Sequence, residues 1–185
     1  MDQGLIPRRY AKALYETADE RGVSAELYKQ MSALHAAFEA EPELGKTIAN
    51  PFVGASDKVS LLETAAGVKP GDKDASTFED FVKLLVRNRR IDMMREMTMA
   101  YVELYRRTND IIRVEVSSAA PLEEGARKRL REIISRKLPE NGKIELVEKE
   151  DPSLIGGFVI NINNERLDAS LKNELEQLRL NLLKK

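Results

Sequence analysis

Cysteine and tryptophan are absent from the 185 residues, and histidine occurs once, at His35. The lack of cysteine excludes disulfides and cysteine-held metals and fits a reducing compartment. A lone histidine, set among alanines two positions off the most apolar line of its segment, has no second imidazole or thiol with which to share a metal or activate a nucleophile. It reads as an ordinary helix residue. A dominant charge sign is missing too: 30 Lys and Arg stand against 31 Asp and Glu, for a net charge of -1. No strongly basic face is available to release counterions from nucleic acid, so no nucleic-acid partner is expected. Long apolar runs are also lacking. None approaches the roughly 20 residues needed to span a bilayer, and Met1 to Arg9 has no signal-peptide core. The expectation is a cytoplasmic chain that meets a membrane only through its partners.

What is present begins with helical periodicity. Over the first hundred residues apolar side chains recur at three and four. Pro7 suits a first helical turn, and Tyr10, Ala11, Ala13, Leu14 and Ala18 mark one broad face that ends at Arg21-Gly22. Ser24 is placed to cap a second helix with Leu27, Met31, Leu34 and Phe38 on one side. Leu44 and Ile48 suggest a short third. Ser56 is placed to cap a fourth, which carries Val59, Leu62, Ala65 and Ala66 and closes at Gly67. After the polar stretch Lys69 to Ala75, the Ser76 and Glu79 spacing is that of a capping box, and Phe78, Phe81, Val82, Leu85 and Val86 follow. Met93, Met94, Met97, Tyr101, Leu104 and Tyr105 mark a sixth helix that ends at Thr108-Asn109. These methionines read as core, although methionine also suits a groove for a partner helix.

From Ile111 the period changes to two, which sets a domain boundary near residue 109. Ile112, Val114 and Val116 alternate with Arg113, Glu115 and Ser117 as in a strand with one buried face. Pro121 precedes a charged helix with Ala126, Leu130, Ile133, Ile134 and Leu138 facing inward, closed by Pro139, Asn141 and Gly142. Ile144 and Leu146 alternate again, and a strand that returns through a helix is expected to pair in parallel. Pro152-Ser153 favour a turn after Asp151, and the pair Gly156-Gly157 leads into the strand Phe158-Val159-Ile160. Asn163-Asn164 supply a turn, and Asp168 is placed to cap a last helix bearing Leu171, Leu175, Leu178 and Leu182. The expected fold is α+β: a bundle of about six helices over residues 1–109, then a small βαββα domain over residues 110–185.

No constellation in the sequence carries catalysis. The glycine pair leads into Phe-Val-Ile rather than into a helix start with Lys and Ser or Thr, so it opens a strand and does not cradle phosphate. Glu123-Glu124 and Glu148 to Asp151 lie in polar runs beside basic residues, where solvated faces are expected, not the desolvated carboxylate pair that acid-base work requires. Arg87, Arg89 and Arg90 sit near a helix C-terminus and complement its dipole or meet another protein. Neither a cofactor nor a metal is expected.

Several strings, in order, resemble one family. They are Arg9-Tyr10-Ala11-Lys12-Ala13-Leu14-Tyr15, Asn50-Pro51, Phe81 to Leu85 with Asn88 to Ile91, Val116 to Ala119 with Pro121-Leu122, Asp151 to Ile160, and Arg166 to Leu171. The family is the δ subunit of bacterial rotary ATP synthases, counterpart of the mitochondrial oligomycin-sensitivity conferring protein. The chain departs from its pattern at Glu150, Asn161 and Asn163-Asn164. The resemblance implies a non-catalytic stator subunit at the cytoplasmic face of the inner membrane. Its helical domain would hold the N-terminal helix of an α subunit on the catalytic head, and its C-terminal domain would engage the peripheral-stalk b subunit. On that basis partner contact falls on Tyr10, Ala13, Leu14, Leu84, Leu85 and Asn88, with Gly156, Gly157 and Asp168 structural. Ala13 fits the floor of a docking groove, although alanine is equally common in plain bundle core. The alternative is a soluble RNA-binding or other protein-interaction adaptor; RNA binding would need a basic sheet with exposed aromatics, whereas Phe158 is the only aromatic in the second half.

Overall fold

The computed structural model describes residues 4–68, 75–121, 124–137, 143–162 and 165–183. The chain forms two compact units, Met1–Arg107 and Thr108–Lys185. The first contains α1 (Leu5–Glu20), α2 (Ser24–Ala40), α3 (Pro42–Ala49), α4 (Ala55–Ala65), α5 (Ser76–Arg87) and, after a 3-10 turn at Ile91–Met93, α6 (Met94–Thr108). The second contains β1 (Ile111–Ser118), α7 (Glu124–Lys137), β2 (Lys143–Glu150), β3 (Gly157–Ile162), β4 (Glu165–Ser170) and α8 (Leu171–Leu183). The class is therefore α+β, with six α-helices among the described residues of the first unit.

The helices of the first unit bury most of the residues that their spacing marks, although Ala13 is exposed and Tyr10, Leu44, Val59, Ala65 and Leu104 are half-buried. Leu27, Met31, Leu34 and Phe38 of α2 are inside, as are Ala11, Leu14 and Ala18 of α1 and Phe78, Phe81, Val82 and Leu85 of α5. Met94 and Met97 are core residues of α6. An aromatic cluster joins α2 to α6: the Tyr28 and Tyr105 rings stack at 4.2 Å, and Arg106 Nε donates to the Tyr28 hydroxyl at 2.9 Å. Tyr101 lies beside them, fully buried. Burial first, and then the neighbouring Tyr105, push its hydroxyl well above the ordinary tyrosine pKa. The three serines expected as helix caps sit instead inside the first turns, because the helices start earlier. Val23, Gly54 and Ala75 are the cap residues, and none of these caps carries a side-chain hydrogen bond.

The second unit holds a four-stranded sheet in the order β2-β1-β3-β4. The β1 and β2 strands pair in parallel, as a strand-helix-strand connection requires, while β3 lies antiparallel to both β1 and β4. Val114, Val116 and Ile160 of one sheet face pack with Leu130 and Ile134 of α7. The expected βαββα pattern thus gains a strand, since Glu165–Ser170 pairs along β3 from Gly157↔Ser170 to Ile162↔Glu165. Four of those six residues are polar or charged, and the two apolar ones, Leu167 and Ala169, are too few to mark a strand by alternation. The turns expected at Pro70-Gly71, Pro139 to Gly142 and Asn163-Asn164 lie outside the described residues, as does Leu138.

Asp168 requires a correction. It stands on β4, three residues before α8, and Ser170 provides the cap: its Oγ accepts from Asn173 N at 3.2 Å. Asp168 braces that cap, since its Oδ1 accepts from Ser170 Oγ at 2.6 Å and from Ser170 N at 3.1 Å. A cap reading from residue type alone selects the acid, whereas pairing with β3 extends the strand through Ser170 and leaves Asp168 short of the helix start. Asp151 behaves similarly one turn earlier, where its Oδ1 accepts from Ser153 N at 3.0 Å. Hydrogen bonds from Ser170 hold the Asp168 carboxyl below its ordinary value of 3.8, and those from Ser153 do the same for Asp151.

The glycine pair is structural in two different ways. Gly157 has φ +74, and a Cβ there would run into the carbonyl oxygen of Ala169 on the paired strand. Gly156 would meet the Leu171 side chain at 2.5 Å, and that side chain can rotate away. Gly157→Val should accordingly destabilise the second unit by about 1–3 kcal/mol, and Gly156→Val by clearly less. Urea melts followed by strand amide exchange would separate the two, and equal effects would contradict this geometry. The acid limb follows from linkage: a depressed carboxyl pKa gives stability that is complete above 3.8 and is lost as pH falls through the lower folded value. Asp168→Asn should be less stable than the parent at neutral pH and should converge with it in acid, measured by denaturant midpoints across pH.

Candidate functional site

The first unit carries an apolar groove between α1 and α5. On α1 the residues Tyr10, Ala13, Leu14, Thr17 and Arg21 fall at steps of three and four, so they share one face. Thr77, Asp80, Phe81 and Leu84 do the same on α5, and these nine residues line a cavity of about 150 Å³. A second space of about 580 Å³ shares Tyr10, Ala13 and Leu84 with it and adds Ile6, Arg9 and Arg90. From Ile6 to Arg21 the combined face runs about 22 Å at the helical rise, the length of roughly four turns of a docked helix. Leu14, 5% exposed, and Phe81 form the floor, while Leu84 stands on the rim at 44% exposure.

Polar contacts fix both ends. At one end Arg21 Nη1 donates to Thr77 Oγ1 at 3.2 Å and to Asp80 Oδ2 at 3.1 Å. At the other, the Tyr10 hydroxyl accepts from Asn88 Nδ2 at 3.0 Å and from Arg90 Nη1 at 2.8 Å. The Arg90 guanidinium lies 5.4 Å from the Tyr10 ring centre, and the Tyr10 ring meets Phe81 edge-on at 6.4 Å. The start of α1 therefore lies against the end of α5, and the two helices run antiparallel.

The end of α5 is shaped to deliver Arg90. Arg90 N donates to Leu85 O at 2.9 Å and Arg89 N to Val86 O at 3.1 Å, with Arg89 at φ +54. This is the Schellman ending, in which one residue takes the left-handed conformation and turns the chain back across the helix. The same bond pair closes α1 through Gly22 and α4 through Gly67, both at φ +69. Those two helices use glycine at the left-handed position, whereas α5 uses arginine.

Of the residues that the family resemblance singled out, Tyr10, Ala13, Leu14 and Leu84 line the groove. Asn88 does not line it but holds the Tyr10 hydroxyl. Leu85 is a correction: it is 0% exposed and faces the bundle core, because the residue after Leu84 is turned about 100° round the helix. A partner cannot touch it without opening the bundle. Thr17, Arg21, Thr77, Asp80 and Phe81 were missed as lining residues. Extending the steps of three and four from Tyr10 would have reached Thr17 and Arg21, but nothing local in the sequence pairs Asp80 with Arg21. Among the described residues no group of His, Asp and Glu is arranged to hold a metal, and no helix is long and apolar enough to cross a membrane.

The fold and the groove define a two-unit α+β protein whose helical unit carries an apolar groove between two antiparallel helices. Residues 6–182 match the family described as ATP synthase delta (OSCP) subunit. The chain is 34% identical over 182 residues to the ATP synthase subunit delta of Phocaeicola vulgatus, covering 98% of this chain and 96% of that one. It is 32% identical to the subunit of the same description from a Synechococcus strain, covering 94% and 92%. In fold it is similar to a chain in the cryo-EM structure of the Toxoplasma gondii mitochondrial ATP synthase hexamer, with TM-score 0.64 at 18% identity, covering 96% and 97%. The chain belongs to the ATP synthase delta (OSCP) subunit family and is a non-catalytic, peripheral stator subunit.

The left-handed arginine yields a stability test. Arg89→Gly should stabilise the chain by about 0.5–1 kcal/mol, since relief of strain outweighs the added freedom of the unfolded chain. Thermal melts check it. A destabilised variant would mean that the Arg89 side chain contributes packing that the backbone angle does not reveal.

Proposed function

We propose that the groove between α1 and α5 holds the N-terminal helix of an α subunit of the synthase head, and that the second unit engages the peripheral-stalk b subunit. The observation that carries the first half is the apolar groove that runs from Ile6 to Arg21, with Tyr10 half-buried and Ala13 and Leu84 open to solvent above a floor of Leu14 and Phe81. An amphipathic helix buries its anchors at i, i+3, i+4 and i+7 in such a groove, and a preformed groove spares the ordering cost of binding. In support of the second half, Leu171, Leu175 and Leu178 of α8 recur at four and three and stay 47%, 58% and 59% exposed. An isolated helix of this length is marginal in water, so an apolar partner would stabilise α8 as well as bind it.

In this reading the subunit is a clamp. Rotation of the central shaft drags on the head, and ion flow is converted into ATP only if the head is held still relative to the membrane-bound part. Each contact must therefore outlast many turnovers, which favours buried apolar anchors over exposed ion pairs. The chain itself would sit on the cytoplasmic side of the inner membrane, attached through its partners.

Ala13 provides the test. It is exposed and lines both parts of the groove. Ala13→Leu should weaken binding of a peptide copying the α N-terminal helix at least about tenfold, as overpacking of an interface does. The melting temperature should be unchanged. Calorimetric titration with full-length chain measures it, and binding as tight as the parent's would remove the groove from this role.

A further inference from the structure

The cations around the groove fall into two groups. Along its walls and at its far end each has a carboxylate: Arg21 is held by Asp80 at 3.1 Å, Lys83 by Glu79 at 3.2 Å, and Lys12 by Glu16 at 3.7 Å. At the Tyr10 end the pattern reverses. Arg9 and Arg90 line the wider space there with Ile6, Tyr10, Ala13 and Leu84. Among the described residues no carboxylate lies within the 4.0 Å ion-pair distance of Arg9, Arg89 or Arg90. Among the described residues, the groove is thus neutralised along most of its length and carries positive charge without a carboxylate partner at one mouth.

Local folding does not account for that charge. The carbonyls of Leu84, Leu85 and Val86 at the end of α5 already accept from the backbone N–H groups of Asn88, Arg90 and Arg89. Cationic side chains are therefore not needed to satisfy this helix end. One nitrogen of Arg90 donates to Tyr10 at 2.8 Å, which fixes the guanidinium in place. A guanidinium has five N–H donors in a planar fork, so donors remain for a second acceptor. The turn that aims Arg90 at the groove also places Arg89 in a conformation that glycine would adopt without strain.

We propose that the mouth formed by Arg9 and Arg90 is a carboxylate-receiving site: the helix docked in the groove carries an Asp or Glu over Tyr10, and its carboxylate is clamped by the two guanidiniums. The proposal rests on the reading that the groove holds the α N-terminal helix, and it adds what that reading leaves open. Apolar anchors give affinity but tolerate sliding by a turn. One carboxylate against Arg90, which Tyr10 holds in place, with Arg9 beside it, sets the register, because a sliding helix would leave a charge desolvated and unpaired. The site also discriminates against amphipathic helices that are basic at this position.

The test is fluorescence anisotropy of a labelled peptide, copied from the N-terminal helix of the α subunit of the same synthase, titrated with the full chain at low and high salt. Arg9→Glu should weaken binding about tenfold at low salt and flatten the salt dependence. Its melting temperature should stay at the parent value, since Arg9 is exposed. Peptides in which each acidic residue is changed in turn to lysine should include one that loses affinity for the parent and regains it with the Arg9→Glu variant. Unchanged binding by Arg9→Glu at every salt concentration, or the absence of any such reciprocal peptide, overturns the proposal. Binding of inorganic phosphate that Arg9→Glu abolishes while leaving peptide affinity unchanged assigns the mouth to a free anion and overturns it too. Ala13→Leu separates the two levels. If Ala13→Leu loses binding while Arg9→Glu keeps it, the carboxylate site alone fails. If both variants bind like the parent, the groove reading falls with it.

Discussion

The hydroxyl of Tyr10 accepts hydrogen bonds from Asn88 and Arg90, and the geometry of the first unit's binding face depends on that junction. It pins the start of α1 to the end of α5, while Arg21, Thr77 and Asp80 pin the opposite ends. Two antiparallel helices tied at both ends keep a fixed separation, and the floor between them is made of Leu14 and Phe81, which the core already holds. The groove is consequently preformed. A groove whose walls are ordered before any helix docks would lose little entropy on association.

The second unit solves a different problem with less core. Its main cluster consists of Val114, Val116, Leu130, Ile134 and Ile160, covered on one side by α7. The connection from β2 to β3 packs several constraints into a few residues. Asp151 caps a 3-10 turn, Leu154 is buried, Ile155 adopts φ +65 with its side chain in solvent, and Gly157 turns into β3 beneath the β4 backbone. A β-branched residue in the left-handed region is strained. Here the strain is held by the hydrogen bonds on either side, Asp151 N to Ser118 O at 2.8 Å and Leu171 N to Gly156 O at 3.0 Å. The second of these also ties the start of α8 to the glycine pair, so the loop and the exposed leucine helix are set by the same few backbone contacts.

The two units illustrate different ways of offering a surface. The bundle presents a concave face with charges placed at its ends. The sheet unit presents a convex helix whose leucines stand out from the chain. Both fit a subunit whose work is holding rather than chemistry, and the perturbed ionisable groups agree. The Asp151 and Asp168 carboxyls are depressed by hydrogen bonds that shape turns, and Tyr101 is raised by burial in the core. Each shift has a structural cause, and none of the three residues lines the groove.

Most of the buried stripe of each bundle helix, the change of period at Ile111, the parallel pairing of β1 with β2 and the strand after the glycines could be read from the residue pattern. These are legible because a side chain's burial within one element follows from the element's own repeat. The family is legible as well, from strings spread across the chain. Packing in three dimensions was needed to tell Leu84, which stands on the groove rim, from Leu85, which faces the core, since both lie on the apolar side of one helix and the surroundings of α5 choose between them. It alone added β4, whose polar residues find their place through register with β3, and with it moved the helix cap from Asp168 to Ser170. It alone brought Arg90 onto Tyr10 and Asp80 onto Arg21, contacts made across 80 and 59 positions of chain. Periodicity reports how one element meets an average interior. Which two elements meet, and which charges are left without a partner, is fixed only when all of them pack together.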